Sequence, residues 1–301
     1  VITHHGYADA GARRGKLERD RRILDAEIGE KPDDPFNLFN MGCIEQELGQ
    51  REEAIEHLRR SIDLSEPHAS QVRKCYAMIL QMQRELGQLD AAQTTEREAR
   101  KHYSEDPEVL FQAGLLHRDL GNLREAEDRF LKAIDAPSGG YFASVDPAIQ
   151  GYKARYNLGT VYMDMGQPQR AVEQWRVALA ERPGFEPGQR MLTYALLQSG
   201  QLAEAEPELR RLLKLSPDDA EAHHNLATLL CELERYGESI PVAEQCLSLR
   251  PDRTDTYFAL AEAQDKLGDR DAAIETIERL LRRDPSSQRA RQVLDEWKAG
   301  V

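Results

Sequence analysis

The chain has 301 residues, of which 40% are hydrophobic and 31% are charged. Its 53 acidic residues outnumber its 40 lysines and arginines, and the formal net charge of -13 disfavours binding to nucleic acid or to an anionic membrane surface. No apolar stretch approaches the ~18 residues that a membrane-spanning helix needs. The four cysteines form no C-x-x-C pair, which is typical of reduced thiols and predicts a cytoplasmic protein.

The first predicted element is a lone amphipathic helix within residues 16–33, and residues 1–15 precede it. Its apolar side carries Leu17, Ile23, Leu24 and Ile28. The helix is followed by Pro32 and a pair of aspartates, which favour a turn. We expect this helix to cap one end of a larger array.

From residue 34 onward the sequence repeats. A short segment separates two helical patterns in each copy and ends at Gly49, Gly87, Gly121, Gly166, Gly200, Glu234 and Gly268. Four of the six spacings are 34 residues, whereas the first and third are 38 and 45. Because glycine can end a helix with a positive φ, each copy is predicted to be a pair of helices. The turn at Glu234 is expected to be looser than the others.

Side chains at fixed offsets support the same register. Repeat three has Gly114, Ala126, Phe130 and Ala133, and repeat four has Leu158, Gly159, Tyr162, Ala171, Trp175, Ala178 and Pro183. This pattern resembles the tetratricopeptide repeat family over about 250 residues. The resemblance implies an all-α superhelix, or solenoid, of about seven helix pairs with a capping helix at each end. Repeats one to three would occupy residues 34–138, and repeats four to seven residues 151–285.

Two further segments complete the predicted organisation. Residues 139–150 account for the long third spacing and have the composition of an inserted loop. A solvated connector is the simpler interpretation of this loop, and contact with a ligand is the alternative. The last segment, 286–301, is predicted to be a C-terminal capping helix with Val293, Leu294 and Trp297 facing inward.

The family geometry also predicts a binding groove, because first helices line the concave face of a tetratricopeptide superhelix. The fifth positions of these helices carry Phe39, Phe111, Tyr156, His224 and Phe258, and the sixth positions carry Asn40, Asn157 and Asn225. An asparagine amide both donates and accepts hydrogen bonds, so it can pair with the main chain of an extended peptide. The asparagines resemble the ladder in O-linked N-acetylglucosamine transferase, although asparagine is common at this position of tetratricopeptide repeats generally. We therefore predict a protein or extended peptide as the partner.

Other kinds of site receive less support. Adaptors that hold a C-terminal carboxylate use lysine and asparagine where repeats one to three have Phe39, Ala77 and Phe111. The acidic pairs Asp33-Asp34 and Asp218-Asp219 precede predicted helices, where aspartate caps the helix N-terminus. No nucleophile elbow, phosphate loop or H-E-x-x-H motif occurs. We predict no cofactor and no catalysis by this chain.

The N-terminal residues carry a second resemblance. The segment Val1-Ile2-Thr3-His4-His5-Gly6-Tyr7 is similar to the junction at which bacterial family 2 glycosyltransferases pass into C-terminal tetratricopeptide repeats. The resemblance implies that residues 1–15 are the tail of a catalytic domain and that the repeats recruit an acceptor or mediate self-association. It would place His4 near a metal, but an isolated histidine cannot build a metal site. The alternative is a free-standing adaptor protein with no enzymatic domain.

Overall fold

A computed structural model of the protein describes residues 10–137 and 146–299. In this part of the chain there are sixteen α-helices, one short 3-10 turn at Pro147–Ile149 and no strand. The lone helices are α1 (Ala10–Glu30) and α16 (Gln288–Lys298). The first helices of the seven pairs are α2 (Pro35–Leu48), α4 (Ser70–Glu85), α6 (Pro107–Asp119), α8 (Tyr152–Asp164), α10 (Glu186–Gln198), α12 (Ala220–Glu232) and α14 (Thr254–Lys266). Their second helices are α3 (Arg51–Asp63), α5 (Leu89–Ala99), α7 (Leu123–Asp135), α9 (Pro168–Glu181), α11 (Leu202–Leu215), α13 (Tyr236–Leu249) and α15 (Arg270–Arg283).

The helices form two compact bodies. Helices α1–α9 belong to the N-terminal body, and α10–α16 belong to the C-terminal body. Within each body the two helices of a repeat pack together, and second helices also contact the first helix of the following repeat, as α3 does α4 and α13 does α14. The predicted all-α fold of stacked helix pairs is confirmed.

Aspartates begin several first helices as predicted. The Asp34 carboxylate accepts hydrogen bonds from the backbone N–H groups of Phe36 and Asn37, at 2.9 and 3.1 Å. Asp219 accepts one from Ala222 at 3.1 Å. These bonds satisfy N–H groups that have no partner within the helix. The capping interpretation of both acidic pairs is therefore confirmed for the second aspartate of each.

The turns between paired helices have one common conformation. All six turn glycines have φ between 68° and 84°, and no atom lies within 4 Å of the position that a Cβ would occupy. The left-handed backbone, and not lack of space, therefore selects glycine here. Glu234 adopts the same conformation with φ of 57°. Its N–H bonds to the Cys231 carbonyl at 2.9 Å, as the Gly200 N–H bonds to the Leu197 carbonyl at 3.0 Å. The expectation of a looser turn was wrong, because the hydrogen bonds impose the standard geometry on glutamate.

Replacing Glu234 by glycine is expected to raise the free energy of unfolding of the C-terminal body. A left-handed conformation is unfavourable for glutamate, and this gain exceeds the entropy that glycine adds to the unfolded chain, leaving about 0.5–1 kcal/mol net. Urea denaturation followed by circular dichroism measures the change. The reciprocal control is Gly200→Glu, which should destabilise the equivalent turn. A Glu234→Gly protein that is less stable than the wild type would contradict the strain argument.

Close contact between the paired helices of repeats one, three, four and seven depends on a small residue at the eighth position of the repeat. A Cβ built on Gly42 would lie 2.6 Å from Leu58, and one on Gly114 would lie 2.7 Å from Phe130. A Cβ on Gly159 would lie 2.5 Å from the Trp175 ring. In repeat seven the equivalent contact joins Ala261 and Ile277, both buried. The repeats thus match a smaller residue on the first helix with a larger one on the second.

The terminal segments differ from the predictions in detail. Helix α1 begins at Ala10 and not near Lys16, and Ile23 is 53% exposed and not on the packed side. Successive residues of a helix point about 100° apart, so Leu24 and Ile23 cannot both face α2. Val293, Leu294 and Trp297 pack against the core of the last repeats as predicted. The remaining domain limits, including residues 1–9 and most of the 139–150 loop, stay predictions because 1–9 and 138–145 lie outside the described residues.

Candidate functional site

The predicted binding residues lie on the first helices, at fifth and sixth positions that the structure fixes. These helices begin at position one of the predicted register in six repeats, at Pro35, Pro107, Tyr152, Glu186, Ala220 and Thr254. Successive first helices contact one another, α4 with α6 in the N-terminal body and α12 with α14 in the C-terminal body. We call the side of the first helices that carries their second, fifth, sixth and ninth positions the inner face.

At the start of the N-terminal body, the inner face carries an aromatic pair and an asparagine. Phe39 is half-buried against the core cluster that includes Leu58 and Met78. Its ring centre is 6.2 Å from that of Phe36, which is 50% exposed. Asn40 is half-buried, and its amide has no hydrogen-bond partner among the described residues. This amide is therefore open to a ligand.

Two further predicted residues of the N-terminal body, Asn157 and Phe111, already contact other residues of the protein. Asn157 donates from Nδ2 to the Lys153 carbonyl at 2.8 Å and accepts from Arg118 at 3.4 Å. Phe111 is only 8% exposed and packs edge-on against Phe130, with ring centres 5.8 Å apart. The structure thus places Phe111 in the core. The prediction that it is available in the groove was wrong, because Gly114 lets Phe130 approach α6 closely.

Tyr156 keeps a half-buried side chain on α8, and its backbone carbonyl has a structural role. This oxygen accepts hydrogen bonds from the Trp175 indole N–H at 3.0 Å and from the Thr160 hydroxyl at 3.1 Å. The contact with Trp175 ties α8 to α9, one helix turn from Gly159. Tyr156 therefore sits at the best-packed helix crossing of repeat four.

The C-terminal body carries three of the predicted residues, His224, Asn225 and Phe258. The His224 Nδ1 lies 2.9 Å from the Thr256 hydroxyl oxygen, which joins α12 to α14. Burial, together with the nearby Arg253 guanidinium, lowers the pKa of His224 below its usual value, so the ring is neutral at pH 7. Asn225 is half-buried and has no hydrogen-bond partner in the part of the chain that the structure describes.

Phe258 is covered by a residue that the sequence did not suggest. The Arg289 guanidinium from α16 lies 4.1 Å from the centre of the Phe258 ring, which gives a cation–π contact. The ring also packs against the core of the last repeats. A ligand would therefore meet the arginine before the ring. The C-terminal helix thus contributes to this end of the inner face in addition to capping the core.

Sequence reasoning missed two exposed aromatic side chains on the inner face. Phe36 occupies the second position of repeat one, and Tyr194, 49% exposed, occupies the ninth position of repeat five. Both positions belong to the inner face, so extending the search beyond the fifth and sixth positions finds them. The Thr228 hydroxyl, one helix turn after Asn225, is buried without a partner among the described residues. It is a further polar group on this face.

Charged groups on the N-terminal inner face are paired with one another. Lys74 and Glu108, at the second positions of repeats two and three, form an ion pair. Lys153, at the second position of repeat four, binds Asp146 at 2.6 Å. The surface left for a ligand is therefore aromatic and polar, and it carries little unpaired charge.

The described residues offer binding groups and no recognisable catalytic centre. Within the described ranges, no set of three or more His, Cys, Asp or Glu side chains is arranged to hold a metal ion. His4 lies outside the described residues. None of the described helices is both long and apolar enough to cross a membrane. The chemistry that this face supports is hydrogen bonding to amides and contact with aromatic rings.

Comparison with protein-family models agrees with the repeat pattern read from the sequence. Models described as tetratricopeptide repeat match residues 37–68, residues 83–141 and, in overlapping segments, residues 162–230, 196–239 and 230–295. Together these matches cover well over half of the chain, in both bodies. They use the register that the glycine spacing defines.

Individual relatives are more distant. A BBSome complex member BBS4 homolog of Drosophila melanogaster is 21% identical over 332 aligned positions, which cover 88% of this chain and 68% of that protein. A TPR repeat-containing protein of Synechococcus elongatus is 25% identical, covering 82% of this chain and 51% of its own length. The C-terminal part of a TPR repeat-containing protein from Cytophaga hutchinsonii superposes with a TM-score of 0.63 at 15% identity, covering 82% of this chain and 96% of that structure. At this identity the similarity shows the fold.

Proposed function

This chain belongs to the tetratricopeptide repeat family, and we propose that it is a non-catalytic scaffold that binds an extended protein segment on its inner face. The observation that carries the proposal is one open amide in each body, Asn40 in the N-terminal body and Asn225 in the C-terminal body. Each is half-buried, each lies at the sixth position of a first helix, and neither has a partner among the described residues. Both amides keep contact with solvent, so their donors and acceptors are available to the main chain of a ligand.

The neighbours of these amides favour a peptide as the ligand. Asn40 lies beside the Phe36–Phe39 pair, and Asn225 lies beside the neutral His224 ring and one turn from the Thr228 hydroxyl. An extended peptide presents backbone N–H and carbonyl groups to the amides and side chains to the rings. Such recognition depends little on the sequence of the partner, which suits a scaffold.

The cysteines indicate the cellular environment of the protein. The four cysteines are free thiols, and burial raises the pKa of Cys75 to about 12, so it stays protonated. We infer a reducing, cytoplasmic environment.

The resemblance of residues 1–7 to a glycosyltransferase junction supports a second proposal, that the repeats recruit an acceptor or mediate self-association for such an enzyme. Sequencing upstream of Val1 tests it, because a catalytic domain requires about 200 further residues with alternating strands and helices.

The three asparagines are expected to contribute unequally to binding. Asn40→Ala and Asn225→Ala should each weaken peptide affinity by about 2- to 10-fold, since a neutral hydrogen bond contributes about 0.5–1.5 kcal/mol. Asn157→Ala is the matched control and should change affinity less, because its amide already bonds to Lys153. Calorimetric titration with a segment selected from a displayed peptide library gives the affinities. Unchanged affinity in folded Asn40 and Asn225 variants would contradict the proposal and place the partner on another surface.

A further inference from the structure

A small cavity in the C-terminal body has an unusual charged lining. It encloses about 310 Å³ and is lined by Leu247, Tyr257, Arg279, Arg282 and Arg283. Three guanidinium groups thus meet at one opening, and no carboxylate lines it. This arrangement contrasts with a chain whose net charge is -13. Its lining comes from α13, α14 and α15.

One of the three arginines is held in place by the protein. The Arg279 Nη1 and Nη2 atoms donate to the two Glu244 carboxylate oxygens, at 2.9 and 3.2 Å. Its guanidinium carbon lies 5.8 Å from the centre of the Tyr257 ring. The Tyr257 hydroxyl donates to the Pro251 carbonyl at 3.1 Å, so tyrosine presents its ring, and not its hydroxyl, to the cavity. Arg279 and Tyr257 therefore form a fixed wall.

The other two arginines have guanidinium N–H groups that bind no acceptor among the described residues. Arg282 and Arg283 are exposed, and neither side chain forms a hydrogen bond or an ion pair within the described ranges. The nearest acidic residue along the helix from Arg282 is Glu278, whose carboxylate is already bound by Lys298 at 2.7 Å. Most other arginines of the described chain bind a carboxylate, as Arg253 does Glu221. The positive charge at the cavity is thus only partly offset, by Glu244 at Arg279 and by the charge of Glu278 near Arg282.

Two arginines in the last turn of α15 also offset the partial negative charge of a helix C-terminus. That role requires only positive charge, and lysine supplies it equally well. It does not require a cavity or a buried apolar wall beside the charges. A planar guanidinium, in contrast, presents paired N–H donors that match the oxygens of a phosphoryl or carboxylate group.

We infer that this cavity binds a phosphoryl group. The Arg282 and Arg283 guanidiniums supply two positive charges, which match a phosphate dianion better than a carboxylate monoanion. Tyr257 and Leu247 are only 2% and 4% exposed, so they form the floor of the site and the arginines supply the contacts. The inference is independent of the proposed function of the inner face.

The test is an NMR titration of the full chain with phenyl phosphate, with benzoate as the carboxylate counterpart. Arginine Nε–Hε resonances report on the site directly. We expect saturable shifts of Arg282 and Arg283 with phenyl phosphate and weaker binding of benzoate. The double variant Arg282→Ala/Arg283→Ala should bind about 10-fold or more weakly, since two charge-assisted contacts are lost. Arg124→Ala, which removes an exposed arginine of α7, is the matched control and should leave affinity unchanged.

A second variant keeps the inference falsifiable if the double alanine variant does not fold. Arg282→Lys/Arg283→Lys retains the charge at the helix C-terminus but removes the paired donors, and it should still bind several-fold more weakly than the wild type. Equal affinity in the lysine variant would overturn the inference and assign the arginines to the helix dipole. Absence of saturable binding to the wild type would also overturn it. Benzoate binding as tightly as phenyl phosphate would overturn the phosphoryl assignment.

Discussion

Replacing Arg73 by methionine is expected to lower the free energy of unfolding of the N-terminal body by about 3–5 kcal/mol, because it removes the buried positive charge that binds two buried carboxylates. The Arg73 side chain is 3% exposed. Its Nη1 atom lies 2.9 Å from Glu108 and 3.3 Å from Asp106. Asp106 also caps α6 by accepting hydrogen bonds from the Glu108 and Val109 N–H groups, both at 3.0 Å. Arg73 therefore joins repeat two to the start of repeat three.

The loss should depend on pH. Burial raises the pKa of the Asp106 carboxyl, while the Val109 N–H and Arg73 lower it, and removing Arg73 raises it further. A buried carboxyl with a raised pKa destabilises the fold when it is ionised, and the penalty disappears as pH falls through the folded pKa. The difference in stability between wild type and Arg73→Met should thus be smaller at about pH 5 than at about pH 8.

Denaturant unfolding at the two pH values measures this difference. Arg73→Met combined with Asp106→Asn and Glu108→Gln should recover much of the stability, since asparagine can still cap α6 and no buried charge remains. Arg124→Met is the control for removing an arginine from an exposed site. A cost below about 1 kcal/mol, or one that does not change with pH, would show that this ion pair contributes no more than a surface pair.

The helix pairs could be predicted from the sequence because each boundary has a local cause. A glycine or Glu234 with positive φ ends the first helix, and Asp34, Asp106 or Asp219 caps the beginning of another. Such signals act over three or four residues, so they survive in a single sequence. Even where Glu234 replaces glycine, the backbone hydrogen bonds of the turn are retained.

The candidate site could be predicted only in part, because its side chains contact residues that lie far along the chain. Position within a helix correctly placed Asn40 and Asn225 on the first helices. It could not show that Phe111 turns towards Phe130, or that Arg289 covers Phe258. Position within a helix also could not predict the Arg73 ion pairs, because their partners lie 33 and 35 residues away. A repeat spacing predicts which positions are neighbours, but the side chains present there decide what they bind.

Trp175→Ala is expected to destabilise the N-terminal body by about 3–5 kcal/mol, the cost of removing a large buried aromatic side chain. Trp175 is fully buried, and its indole N–H donates to the Tyr156 carbonyl at 3.0 Å. The substitution leaves a cavity beside Gly159 and a backbone carbonyl with one fewer donor. Denaturant unfolding gives the change in stability, and Val177→Ala, at a 44% exposed position of the same helix, is the control.

A second substitution at the same crossing tests whether Gly159 is selected by lack of space. A Cβ at this position would lie 2.5 Å from the Trp175 ring, so Gly159→Ala alone should destabilise the wild type by about 1–3 kcal/mol through overpacking. In the Trp175→Ala protein the same change meets no ring, and alanine favours the helix over glycine by about 1 kcal/mol. Gly159→Ala should therefore become neutral or stabilising there, which a double-mutant cycle measures as a coupling between the two sites. Equal costs in the two backgrounds would mean that the glycine and the tryptophan are independent, and the size matching between first and second helices would then be wrong for repeat four.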